Sequence, residues 1–173
     1  MPPSCFPARR AAVVGTALGA ILALAALLAP NGARAQAAGD AAAGAALFDR
    51  QCVSCHVVRD PSGEVLAGRS ARTGPNLFGV AGRVPGTEPD FAYSDAMVAY
   101  GGTGAHWSEE TFVPYLQGPT DYLRTAIGDP RARSKMAYQV RDEQEARDLW
   151  AFLATFAPAG SGGSGGSGGE PSP

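Results

Sequence analysis

Cys52-Val53-Ser54-Cys55-His56 is the stretch on which the reading of this chain turns. Two thiols three residues apart share one turn of helix, and a histidine follows at once. That C-x-x-C-H spacing lets both sulfurs bond to one edge of a porphyrin, with the imidazole placed under its iron as proximal ligand. A closed zinc site needs four ligands, but outside the motif the chain offers only Cys5 and His106. A thioredoxin-like dithiol would sit beside a βαβ pattern, and none surrounds these residues. The motif therefore reads as the attachment point of one covalent haem c. Cys52 and Cys55 are its anchors, and His56 is the first iron ligand.

Outward from the motif, both ends of the 173-residue chain look expendable, leaving one domain between them. Arg9 and Arg10 precede an apolar run over residues 11–29, then Pro30 and Ala33-Arg34-Ala35. This is the order of a secretory signal, assigned to residues 1–35, and it implies a periplasmic protein. The competing reading is a retained anchor, since the run is just long enough to cross a bilayer. Export agrees with cysteine use, because Cys5 leaves with the leader and only the motif pair remains. Residues 159–173 are rich in Gly and Ser and read as a flexible, solvated tail. The folded domain is then 36–158.

Helices dominate that domain. An alanine-rich stretch over 39–51, with Asp40 to cap it, runs straight into the motif. Residues 59–93 lose all periodicity under ten glycines and prolines. Their apolar residues, among them Leu77, Phe78, Val80, Phe91 and Tyr93, argue for loops wrapped over a large rigid object. Short helices follow from Ser94-Asp95-Ala96, from Ser108 to about Gln117, and from Pro119 to near Gly128. The last is the clearest, with Asp142 and Glu145 as a capping box, an apolar stripe of Leu149, Phe152, Leu153 and Phe156, and Pro158 as its stop.

An iron held by one histidine has a second axial position. Met97, His106, Lys135 and Met136 are the side chains able to fill it. Met136 is favoured by its place far downstream of His56, after the turn Gly128-Asp129-Pro130, where the chain can return on the other face of the porphyrin. Met97 falls in a helix and suits packing better, while His106 follows a glycine cluster in a loop.

At this point the chain resembles the class I, mitochondrial-type cytochromes c, in particular their soluble periplasmic bacterial branch. The matching residues run in order through the domain. They are Gly44, Phe48 and the C-x-x-C-H motif, then Thr73-Gly74-Pro75-Asn76-Leu77-Phe78-Gly79, Gly82-Arg83 and Phe91-Ala92-Tyr93-Ser94-Asp95-Ala96. Trp107, Tyr115-Leu116, Ser134-Lys135-Met136 and residues 149–153 complete the series. The resemblance implies an all-α fold of about five short helices, with long loops around one covalent haem. It assigns His56 and Met136 as the axial pair and gives Pro75 a carbonyl contact to the other nitrogen of His56. Arg83, Tyr93 and Trp107 fall where the family contacts a haem propionate, Tyr115 where a tyrosine packs beside the methionine. Gly44 and Phe48 would meet Leu149 and Phe152 where the first and last helices cross. Two departures stand out. Met97 falls near a position where relatives often carry asparagine beside the haem, and the usual ring of lysines is reduced to Lys135 alone.

Loss of residues 1–35 removes Arg9, Arg10 and Arg34 and no acid, leaving 11 basic against 16 acidic residues, a net of −5. So acidic a chain should not seek nucleic acid or an anionic membrane by bulk charge. Arg124, Arg131, Arg133, Lys135 and Arg141 nevertheless gather around Met136, which would steer the haem edge onto an acidic patch of a redox partner. The expected function is a soluble, monomeric, non-enzymatic carrier of single electrons between respiratory or photosynthetic complexes. The rivals are a dedicated cytochrome subunit of a periplasmic dehydrogenase and a haem peroxidase or gas-binding protein.

Overall fold

The computed structural model describes residues 38–157. The leader 1–35, the tail 159–173 and the stop at Pro158 lie outside the described residues. Five helices and one small hairpin make up the fold: α1 (Ala41–Gln51), β1 (Val57–Arg59), β2 (Val65–Gly68), α2 (Asp95–Gly102), α3 (Glu109–Gln117), α4 (Pro119–Ile127) and α5 (Glu143–Ala154). The helix starts follow side-chain capping. Asp40 accepts from the backbone N–H of Ala42 at 2.8 Å and of Ala43 at 3.2 Å. Ser94 accepts from Met97 N–H at 3.3 Å, and Asp142 from Glu145 N–H at 2.9 Å. At α3 the cap works in reverse, with Ser108 N–H donating to Thr111 Oγ1 at 2.9 Å. Each such bond satisfies a donor that the first helical turn leaves open.

The hairpin starts just after the motif and runs into the stretch expected to be loop. Asp60-Pro61-Ser62-Gly63 makes its turn, with Gly63 N–H donating to Asp60 O at 3.0 Å and Gly63 at φ +93°. The antiparallel register pairs Val57 with Gly68, Val58 with Ala67, then slips to pair Arg59 with Val65. A three-residue strand that ends in a bulge shows no period-2 pattern, so periodicity could not reveal it.

α1 and α5 cross at close range. A Cβ on Gly44 would lie 1.9 Å from the Asp148 carbonyl oxygen and 2.8 Å from Phe152 Cβ. Below that crossing the Phe48 and Phe152 rings sit 5.5 Å apart, and Phe48, Leu149 and Leu153 are buried. Among the described residues, Asp148 is the one charged group that is buried. Its Oδ1 accepts from Asp40 N–H at 2.8 Å and from Gln144 Nε2 at 2.9 Å, tying the start of α1 to α5. Arg147 stitches α5 to α3, donating to Glu109 Oε1 at 2.5 Å and to Glu143 Oε1 at 2.6 Å. Asp148→Ala leaves Asp40 N–H without its acceptor and should cost about 1–3 kcal/mol. Urea denaturation of the two proteins side by side measures it.

Candidate functional site

The C-terminal end of α1 delivers the motif. Cys52 N–H donates to Phe48 O at 2.9 Å, and His56 N–H donates to Cys52 O at 2.9 Å, so the five residues coil in a single tight turn. His56 Nδ1 is 3.0 Å from Pro75 O. Gly74 packs flat against the imidazole, where any Cβ would come within 2.4 Å of His56 Cε1. Gly74 N–H donates to Cys55 O at 2.7 Å, fixing this loop to the motif. Burial pulls the His56 pKa below its ordinary value, more than the Pro75 hydrogen bond raises it. The ring is therefore neutral at pH 7, with Nδ1–H donating to Pro75 and the Nε2 lone pair left for a metal. Burial, helped by Cys55, also pushes the Cys52 thiol up to about 11, so no buried thiolate forms at neutral pH.

Both sulfurs and the imidazole open on a cavity of about 400 Å³. The other expected site residues line the same space: Pro75, Arg83, Tyr93, Trp107, Tyr115 and Met136. So do Met97 and Lys135, whereas His106 does not. His106 instead pairs its Nδ1 with Gly82 O at 2.8 Å on an exposed loop. Leu77, Val80, Phe112, Leu116, Leu149 and Leu153 supply apolar wall.

Met136 is placed by Tyr115, which the resemblance set beside the methionine, and by Ser134, whose part sequence reasoning did not single out. Met136 N–H donates to Ser134 Oγ at 3.1 Å, and Ser134 Oγ lies 3.2 Å from Tyr115 Oη. The hydroxyl hydrogen of Ser134 is thus free to point at the phenol while its lone pair takes the methionine backbone. Tyr115 is also held by its ring, 5.0 Å from Trp107, and burial raises its pKa. Lys135 Nζ donates to Ala92 O and sits 6.0 Å above the Phe91 ring, closing the loop before Met136 onto the loop before α2.

Arg83 faces the cavity, but its guanidinium has protein partners too. It donates to Asn76 O at 2.9 Å and to Phe78 O at 3.2 Å, and it forms an ion pair with Glu88. Asn76 itself is a splice, accepting from Arg59 N–H at 2.9 Å and donating to Arg59 O at 2.8 Å. The Gly-Pro-Asn string was visible in the sequence. The Pro75 contact to His56 was implied by the resemblance and is present, whereas the splice made by Asn76 was not foreseen, because it depends on a residue 17 positions away.

These residues fit a haem. Two free thiols, a neutral imidazole with one nitrogen open and a thioether share an apolar enclosure of suitable size. Among the described residues no group of three or more His, Cys, Asp or Glu side chains could hold a bare metal ion. The fold and site define a class I cytochrome c, and the cytochrome c family model matches residues 41–157: the chain belongs to that family. It is 55% identical over 117 residues to cytochrome c2 of Rhodovulum adriaticum, covering 68% of this chain and 92% of that one. To cytochrome c2 of Cereibacter sphaeroides it is 47% identical over 120 residues, covering 69% of this chain and 96% of the relative. The solved cytochrome c2 of Rhodobacter sphaeroides superposes with a TM-score of 0.67 at 47% identity, over 69% of this chain and 97% of that one. The protein is an electron carrier with one covalent haem c and its iron.

Proposed function

We propose that the protein is a soluble, monomeric, periplasmic shuttle that passes single electrons between redox complexes of a respiratory or photosynthetic chain and catalyses no reaction itself. The observation that carries this is the shared cavity, in which a histidine fixed by Pro75 and a methionine fixed through Ser134 and Tyr115 meet both thiols. His56 and Met136 are the axial pair, Cys52 and Cys55 the thioether anchors, and Arg83, Tyr93 and Trp107 the propionate side. The haem, when bound, supplies a one-electron couple, with a thioether ligand and exclusion of water favouring the reduced iron.

The chain's own work is to hold still. Four separate ties converge on the ligands, at Pro75, Gly74, Ser134 and Tyr115, so little rearranges as charge comes and goes. Among the described residues no helix is long and apolar enough to cross a membrane. Tyr138 stands half-exposed at the cavity wall, two residues past Met136. Lys135 lines the cavity, and Arg131, Arg133 and Arg141 lie near it in sequence; positive charge gathered there suits brief docking on an acidic partner patch.

The test is carbon monoxide added to the reduced protein. A closed sixth position predicts no rapid binding, whereas binding on mixing would mean a labile ligand and a ligand-binding or peroxidase role.

A further inference from the structure

Glu88 is a carboxylate without an obvious reason to be where it is. Its side chain is 13% exposed, and it forms an ion pair with Arg83, itself 18% exposed. Arg83 is on the cavity wall and Glu88 is not, so the guanidinium stands as the link between the carboxylate and the haem space. Removing a carboxylate from water costs more than a half-buried site returns unless its partners are strong. Here Arg83 and the Asn76 amide are favourable, while Asp90 opposes. Burial outweighs them and raises the Glu88 pKa above its ordinary value. The other titratable group beside it is Tyr93, whose pKa is likewise raised by burial.

We propose that Glu88 is a positioning residue that sets the reduction potential through Arg83, and that it binds a proton more tightly when the iron is reduced. The inference rests on the haem-bearing reading of the cavity. Two effects act in the same sense. The Glu88 charge neutralises part of the Arg83 charge, which would otherwise favour the added electron. It also draws on guanidinium hydrogens that a haem propionate would use. A negative charge held just behind this wall by Arg83 stabilises the oxidised iron. Reciprocally, an added electron disfavours the carboxylate and raises its pKa. The potential should therefore be highest with Glu88 protonated and should fall as pH rises through the interval between the two pKa values. Burial of Glu88 moves that interval upward from the ordinary value.

The experiment is a spectroelectrochemical titration of the haem-loaded protein and of Glu88→Gln between pH 4 and 9, a range on the order of the span over which carboxylates and histidines titrate. The isosteric amide should raise the potential at neutral pH and abolish the pH-dependent fall assigned to Glu88. A second measurement follows the Glu88 carboxyl carbon by NMR in wild type, in both oxidation states. It should titrate at higher pH in the reduced protein. Equal potentials and equal pH profiles in the two proteins would overturn the proposal, as would a carboxyl that titrates identically in both states. Absence of any reversible one-electron couple would instead sink the electron-carrier reading, so the two failures are separable.

Discussion

Gly44→Ala is expected to cost the domain a large part of its stability. By helix propensity alone the change should help, since alanine is favoured over glycine by about 1 kcal/mol in a helix interior. Packing reverses the sign. The added methyl would sit 1.9 Å from the Asp148 carbonyl oxygen, 2.5 Å from its carbon and 2.8 Å from Phe152 Cβ. Two of these are backbone atoms of a helix, which cannot swing away as a side-chain tip can. α1 and α5 must part by more than 1 Å, a gap that already forfeits a large share of the contact energy along the interface. The Phe48–Phe152 pair and the Asp148 tie to Asp40 lie on that interface and loosen together. A loss of about 3 kcal/mol, the upper end of what overpacking usually costs, is expected against roughly 5–15 kcal/mol for a whole domain. Urea denaturation of the haem-loaded variant measures it; a Gly44→Ala protein as stable as wild type would mean the helices do not cross this closely.

Much of this frame was legible in the residues. Asp40, Ser94, Ser108 and Asp142 lie at the starts of the helices they were expected to open, because capping is a local rule with a short reach. Gly44 and Phe48 faced Leu149 and Phe152 as the resemblance implied. The hairpin over β1 and β2 escaped, since its three-residue strand carries no pattern and its turn looks like any loop with a Gly and a Pro. Ser134 and Glu88 escaped for a different reason. A serine two residues before a methionine and a glutamate in a Gly/Pro-rich loop are ordinary in sequence. They acquire meaning only when folding brings Tyr115 to the one and Arg83 to the other. Arg83 shows the intermediate case: its place on the cavity wall was implied, but its hold on Asn76, Phe78 and Glu88 was not.

Met136→Ala and Met97→Ala should separate the two thioethers that share the cavity. Both side chains line it, yet their surroundings differ. Met97 lies within α2, only 6% exposed, among core side chains. Met136 is in no helix, is partly buried, and has its backbone pinned by Ser134, which is how a ligand is presented. Oxidised Met136→Ala should lose the sulfur-to-iron absorption band, bind carbon monoxide quickly when reduced, and fall in potential by on the order of 0.1–0.3 V, part of the ~0.8 V that axial ligands command. Its stability should change less, because the loop is tied by Lys135 and Ser134 independently of the thioether. Met97→Ala should keep the band and the potential but lose about 2–5 kcal/mol to the cavity it leaves. The opposite pattern, with the band lost in Met97→Ala and kept in Met136→Ala, would move the sixth ligand into α2. It would also leave the Ser134–Tyr115 arrangement without a purpose, since a packing methionine gains nothing from having its backbone aimed.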